Sequence, residues 1–303
     1  MPARRLLPED TTAPTLPALL ALRGRVQGRA RARRGRHGTS GGALSPWRGR
    51  GMEYAESREY VAGDDARHID WRVSARSGRV HTKLFQAERD RLSLIVADTS
   101  PRLYFGSRLR FKSVQAARVA AVAAWAALQD GDRVGALRGS RQEAAIAPAA
   151  GVRAVFRVLH ALCRWYAEPP QDDEGLAFAL QRAQRNLHGG ARLWVVAEPS
   201  SVNEVPAALW AALAQRADII VLLMTDPFEQ SPPEACLPFW QGDARQWLDL
   251  TGKAQRVSWQ QHFVTPLQAA QSMLGSLRVH VVTLSCDADS AGWLDALPLG
   301  RPA

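Results

Sequence analysis

The chain has little cysteine, almost no lysine and no apolar run of membrane-spanning length, and each scarcity excludes a class of protein. Cys163, Cys236 and Cys286 are far apart, odd in number and outside any CxxC pair. They support neither a disulfide framework nor a zinc cluster, and are expected to be reduced. The longest apolar stretch, Val114 to Leu128, is alanine-rich and broken by Gln115 and Arg118. It predicts a buried helix rather than a membrane span. The first residues form no apolar signal core. The seven histidines make no HExxH motif or close ligand pair, and neither GxSxG nor a cysteine in a nucleophile context occurs. The expectation is a soluble, cytoplasmic protein without an evident catalytic motif.

What is present is arginine, unevenly placed. The formal net charge is +10 over 303 residues. Residues 1–50 hold eleven arginines against Glu9 and Asp10, a balance of +9, which leaves +1 for the rest. Residues 1–35 are therefore expected to form a basic, solvated arm ahead of a nearly neutral body. Such an arm could bind phosphate without sequence preference, so a nucleic-acid-binding protein is one alternative reading. With 46% hydrophobic residues the body can bury a large core.

From Arg91 onward, apolar runs of strand length alternate with helix-length periodic stretches. Strands are expected at Leu92 to Ala97, Arg133 to Leu137, Glu143 to Ala147, Leu193 to Ala197, Ile219 to Met224 and Val279 to Leu284. Helices are expected at Phe111 to Gln129, Val152 to Tyr166, Leu176 to Leu187, Pro206 to Arg216 and Pro266 to Leu277. This alternation predicts an α/β fold, with a mostly parallel sheet and helices on both faces. Residues 226–264 break the rhythm, and Thr251-Gly252-Lys253 predicts a hairpin between Trp247 to Leu250 and Gln255 to Trp259. Trp71, Trp125 and Trp194 fall in core-like patterns. Trp240, Trp247 and Trp259, in the insertion, suit an exposed contact surface. Gly106 to Ser113 resembles a phosphate loop, but Phe111 stands where a second glycine is needed, so nucleotide binding is not expected.

The segment Arg58 to Glu88 is the densest in signals. Ala62-Gly63-Asp64-Asp65 is a turn sequence. Ile69, Trp71 and Val73 alternate with polar residues as a strand would, and Val80, Thr82 and Leu84 follow a Ser77-Gly78 turn. Asp64, Asp65 and Asp70 interleave with Arg67, Arg72 and Arg76, which favours an ion-pair lattice over acid catalysis.

The residues Arg58, Tyr60, Gly63, Asp64, Asp65, Arg67, Ile69, Asp70, Trp71, Ala75, Arg76, Lys83, Phe85 and Glu88 stand at spacings that resemble the signature of the domain-of-unknown-function 58 family. The resemblance implies a von Willebrand factor A-like (Rossmann-like) domain at 90–303, a small β-rich signature region at 36–89 and a MoxR-type AAA+ ATPase as partner. The charge density of the signature adds the expectation that its ion pairs set the orientation of the two parts. It also directs attention to the carboxyl edge of the sheet, where A-domains hold Mg²⁺ through a DxSxS sequence and two further loops.

Here the first loop is Asp98-Thr99-Ser100-Pro101-Arg102, with a cation at the third ligand position. The second offers Asp173-Glu174-Gly175 without threonine, and the third offers Glu198 in place of aspartate. Three departures argue against a metal cofactor, although Glu174 and Glu198 could still supply oxygen ligands. Asp98, Ser100, Arg102, Glu174 and Glu198 remain the candidate partner rim, with Arg102 expected to pair with Asp98 or to receive an incoming carboxylate. The function these readings support is a non-enzymatic adaptor acting with the ATPase on a client protein. A metal-dependent hydrolase built on the carboxylates is the remaining alternative.

Overall fold

The computed structural model describes residues 11–27, 52–87, 91–241, 244–277 and 279–297. Helices α1 (Leu16–Ala21) and α2 (Arg23–Val26) precede strand β1 (Met52–Glu59), helix α3 (Trp71–Ser77) and strand β2 (His81–Ala87). Then come β3 (Leu92–Ala97), α4 (Lys112–Gln129), β4 (Arg133–Arg138), β5 (Ile146–Ala149), α5 (Val152–Trp165), α6 (Gly175–Asn186) and β6 (Ala191–Ala197). The chain continues through α7 (Pro199–Asn203), α8 (Ala207–Ala214), β7 (Ala217–Thr225), α9 (Pro227–Gln230), β8 (Cys236–Gln241), β9 (Ala244–Asp249), α10 (Lys253–Trp259), α11 (Thr265–Ser276) and β10 (His280–Ser285). Two compact units result, His37–Asp90 and the combination of Met1–Arg36 with Arg91–Ala303.

The larger unit is an α/β fold around a six-stranded sheet of order β10-β7-β6-β3-β4-β5, parallel except for the edge strand β5. Every residue of β3 is buried, because both faces are covered. Ile95 and Ala97 pack with α4 and α5, whereas Leu94 and Val96 pack with α6, α8 and α11. The Rossmann-like, von Willebrand factor A-like expectation describes this architecture. Among the described residues no helix is long and apolar enough to cross a membrane. The alanine-rich α4 is buried on nearly all sides, and its short side chains let it lie close to the sheet beneath its neighbours.

The N-terminal arm needs correction over residues 11–27. Leu19, Leu22 and Val26 belong to the core cluster, and the Trp125 indole N–H donates to the Leu19 carbonyl at 3.1 Å. Arginine content averaged over the arm concealed the helical spacing of Leu16, Leu19, Leu20 and Leu22. The arginine-rich residues 28–38 lie outside the described residues. Leu19 has no exposed surface, so Leu19→Ala is expected to cost roughly 2–5 kcal/mol. A denaturant titration checks this, and an unchanged midpoint would contradict core packing of the helix.

In the smaller unit β1 and β2 pair antiparallel, with Arg58 opposite Thr82 and Glu59 opposite His81. Gly63 supplies the turn at φ 111°. The strand expected over Ile69 to Ser74 is instead α3. Asp70 accepts hydrogen bonds from the N–H groups of Arg72 and Val73, both at 3.1 Å, and Gly78 ends the helix at φ 71°. The N-cap outweighs the short alternation. Trp71, assigned to the core by that alternation, is 70% exposed.

The insertion does contain a hairpin, but it is β8 against β9, with Cys236 opposite Asp249. The expected turn at Thr251-Gly252-Lys253 leads into α10 instead. The Asp249 carboxylate accepts from the Thr251 N–H at 2.9 Å and its hydroxyl at 2.7 Å, and Gly252 occupies the N-cap position. A local side-chain turn therefore redirects the chain into a helix.

Candidate functional site

The strand order reverses direction between β3 and β6, and ligands of open α/β sheets gather outside the carboxyl ends of the strands at such a point. Asp98 leaves β3 and Glu198 leaves β6 there. Asp98 is 2% exposed. Its two carboxylate oxygens accept from the N–H groups of Ser100 and Glu198, each at 2.9 Å. Burial pushes the Asp98 carboxyl up to about 6 despite those amides, and neighbouring Asp173 adds to the rise. The backbone carbonyl of Asp98 accepts from the Tyr166 hydroxyl at 2.7 Å, which ties the loop to the end of α5.

The other rim residues are engaged locally. Glu198 turns back onto its own helix and accepts from the N–H groups of Ser200 at 2.8 Å and Ser201 at 3.2 Å, capping α7. Ser100 caps the turn at Pro101–Leu103 by accepting from the Arg102 N–H. Arg102 does not pair with Asp98. Its guanidinium reaches the Glu204 carboxylate at 2.8 Å, across a half-exposed surface. That bond holds the guanidinium further above its ordinary range. Glu174 is likewise turned away from Asp98 and pairs with Arg141 at 2.9 Å.

Asp173, absent from the candidate set, is the carboxylate of the second loop that Asp98 senses. Burial raises its carboxyl, and its oxygen accepts from the Gly175 N–H at 3.1 Å. Beside it, Asp172 is lowered by bonds from Ser140 and Arg138, with Arg138 approaching at 2.7 Å. Arg138 is itself 7% exposed. These residues carry no motif. Weighing every carboxylate between the Pro169-Pro170 stop and α6 would have included them.

The fit to a divalent ion is poor. A Mg²⁺ shell needs oxygen ligands converging on one point. Here the carboxylates of Asp98, Glu198 and Glu174 point to separate partners and Arg102 adds positive charge. Among the described residues no three His, Cys, Asp or Glu side chains gather as a metal group.

The phosphate-loop resemblance also dissolves in the geometry. Lys112 is buried and bonded to Glu229, so its ammonium is engaged inside the fold. Gly106 is held by close packing, since a Cβ there would lie 2.2 Å from the Arg110 carbonyl oxygen. In the insertion, Trp247 is 62% exposed, with the Arg245 guanidinium 4.7 Å from its ring centre. Trp259 packs against Phe228 and Phe263, and donates to the Glu229 carbonyl at 3.0 Å.

The signature residues mainly build the smaller unit. Arg58 pairs with Asp64 at 2.6 Å, and Asp64 also accepts from the Val61 N–H at 3.0 Å. Those bonds, led by the Val61 amide, hold the Asp64 carboxyl below its ordinary range. The Tyr60 hydroxyl donates to the Asp64 carbonyl, and Asp65 accepts from the Arg67 N–H. Asp70 also accepts from the Ser57 hydroxyl at 3.1 Å, and is lowered foremost by the Val73 amide, with a smaller contribution from Lys83. Arginine lattice is thus the wrong description for Asp70, whose partners are amides and a hydroxyl. Arg67, Trp71, Arg72 and Arg76 present exposed side chains, and Glu88 lies outside the described residues.

The family model described as "Protein of unknown function DUF58" matches residues 56–256. The chain belongs to the DUF58 family. Uncharacterized proteins of Mycobacterium bovis and of two strains of Mycobacterium tuberculosis are each 28% identical to it over 190 residues, covering 61% of this chain. The chain spans 59% of the length of those relatives. In this DUF58 protein the matched span begins within β1 and ends within α10, so it takes in the signature and the rim residues from Asp98 to Glu204.

Proposed function

We propose that this DUF58 protein is a non-enzymatic, cytoplasmic adaptor, working without a bound cation at its rim and with a MoxR-type AAA+ ATPase on a client protein. The observation that supports it best is the exposure of Trp71. Its neighbours in the signature stabilise turns, caps and strands, yet this large apolar side chain contributes little to the core and stands 70% exposed among arginines. Aromatic and arginine side chains are enriched where proteins dock. The rim of the larger unit supports the same reading in part, because its Glu198, Arg102 and Glu174 side chains are committed to a helix cap and to ion pairs.

The test is ATP hydrolysis by the purified MoxR-type ATPase of the same organism, with and without this chain. The wild-type chain should change the rate. Trp71→Ala should lose the effect while its stability stays within about 0.5 kcal/mol, as exposed substitutions do. A rate indifferent to the wild-type chain would sink the partnership.

A further inference from the structure

We infer that the outer edge of β10 pairs antiparallel with the same edge of a second copy of this chain, about a two-fold axis through Thr283. The two edges of the six-stranded sheet differ in kind. The β5 edge has four residues, an irregular register against β4 and Pro148, which has no N–H to offer. The β10 edge has six residues in regular parallel register with β7, without proline, bulge or a lysine, arginine, aspartate or glutamate. Edges of that second kind are templates for strand pairing.

The backbone shows which groups are available. The Cys286 N–H reaches the Thr225 carbonyl at 2.8 Å, and the Leu284 carbonyl accepts from the Thr225 hydroxyl at 3.3 Å. Alternate residues of a regular parallel strand turn their groups to the same neighbour, so Val281, Thr283 and Ser285 turn theirs outward. The Ser285 carbonyl is already occupied, accepting from the Ala288 N–H at 3.1 Å and the Gln115 amide at 3.2 Å. Among the described residues nothing bonds the N–H or carbonyl of Val281 or Thr283, or the N–H of Ser285.

A second β10 fits these vacancies in one register. With Thr283 opposite its symmetry mate, the two threonines exchange N–H to carbonyl bonds, as a hydrogen-bonded antiparallel pair requires. Each Ser285 N–H then meets the free Val281 carbonyl of the other copy. The return bond, from the Val281 N–H, meets a Ser285 carbonyl that already accepts from Ala288 and Gln115, so the ladder is complete at its centre and single-bonded at its ends. Val282 falls opposite Leu284, and threonine opposite threonine is a favourable cross-strand pair. A two-fold contact uses one patch twice, which a strand with no net charge permits.

Sedimentation velocity on the full chain at rising concentration tests this. The wild-type chain should reach twice 33.2 kDa. Thr283→Lys and Thr283→Glu should each be monomeric, because like charges then stand directly opposite. Thr283 is exposed and its N–H is unused inside the fold, and its hydroxyl accepts from the Gln271 amide at 2.9 Å. At a concentration where the wild-type chain is monomeric, both variants should therefore melt within a few degrees of it. An equimolar mixture of the two should dimerise again. A wild-type chain that stays monomeric throughout, or a dimer that Thr283→Lys leaves intact, overturns the proposal. Neither outcome touches the ATPase assay on Trp71.

Discussion

Lys112→Ala is expected to lower the stability of the larger unit by roughly 3–5 kcal/mol, the scale seen when one partner of a buried ion pair is removed. Lys112 and Glu229 side chains are 1% and 6% exposed and bonded to each other. Glu229 also closes a capping box with Asp226, accepting from its N–H at 3.1 Å. Asp226 in turn accepts from the Ser107 N–H at 2.8 Å and the buried Cys286 thiol at 2.8 Å. Removing the ammonium strands two carboxylates in one buried network.

Burial already raises the Glu229 carboxyl even with Lys112 opposing the rise. Without the lysine the folded chain should hold a proton on Glu229 to higher pH than the unfolded chain does. Unfolding then releases a proton, so the variant's deficit should grow as pH rises and shrink on acidification. A Lys112→Met, Glu229→Leu double variant should recover much of the loss, since apolar replacement of a buried pair is often near neutral. Denaturant titrations at pH 5 and pH 7.5 give both comparisons, and a single-variant loss below about 1 kcal/mol would show that the pair is not the clamp argued here.

The sheet was legible because its strands are buried on both faces, and short, mostly apolar runs such as Leu92 to Ala97 and Leu193 to Ala197 leave few alternative readings. Reading failed where a single local bond decides between two patterns. Asp70 as a cap converts an alternating segment into α3, and Asp249 with Thr251 converts an expected hairpin turn into the start of α10. The rim was half legible. The strand ends put Asp98 and Glu198 at the switch point, as motif and topology predict together. Side-chain direction was not readable, because Glu198 chooses its own helix terminus and Arg102 chooses Glu204, a residue with no place in the motif. Lys112 is the same lesson in reverse, a motif-like lysine whose partner lies 117 residues away.

Between about pH 4 and pH 6 the wild-type chain should lose stability relative to Asp98→Asn as the pH rises. The folded Asp98 carboxyl keeps its proton to about 6, against an ordinary value of 3.8. In that window the folded chain binds more protons than the unfolded chain, so raising the pH favours unfolding. The interval corresponds to roughly 3 kcal/mol, complete once the pH passes the folded value. Asparagine cannot titrate. It keeps one oxygen for an amide N–H but sets its own NH₂ against the other, a cost of about 1–3 kcal/mol that should not vary with pH. The difference between the two stability curves should therefore slope downward through the window and level off above it. Parallel curves would mean that Asp98 ionises in the fold as readily as in water, and that the amides of Ser100 and Glu198 just offset its burial. In that case Asp98 would already be ionised through the window between about pH 4 and pH 6, and the rim would carry its negative charge there as well as at neutral pH.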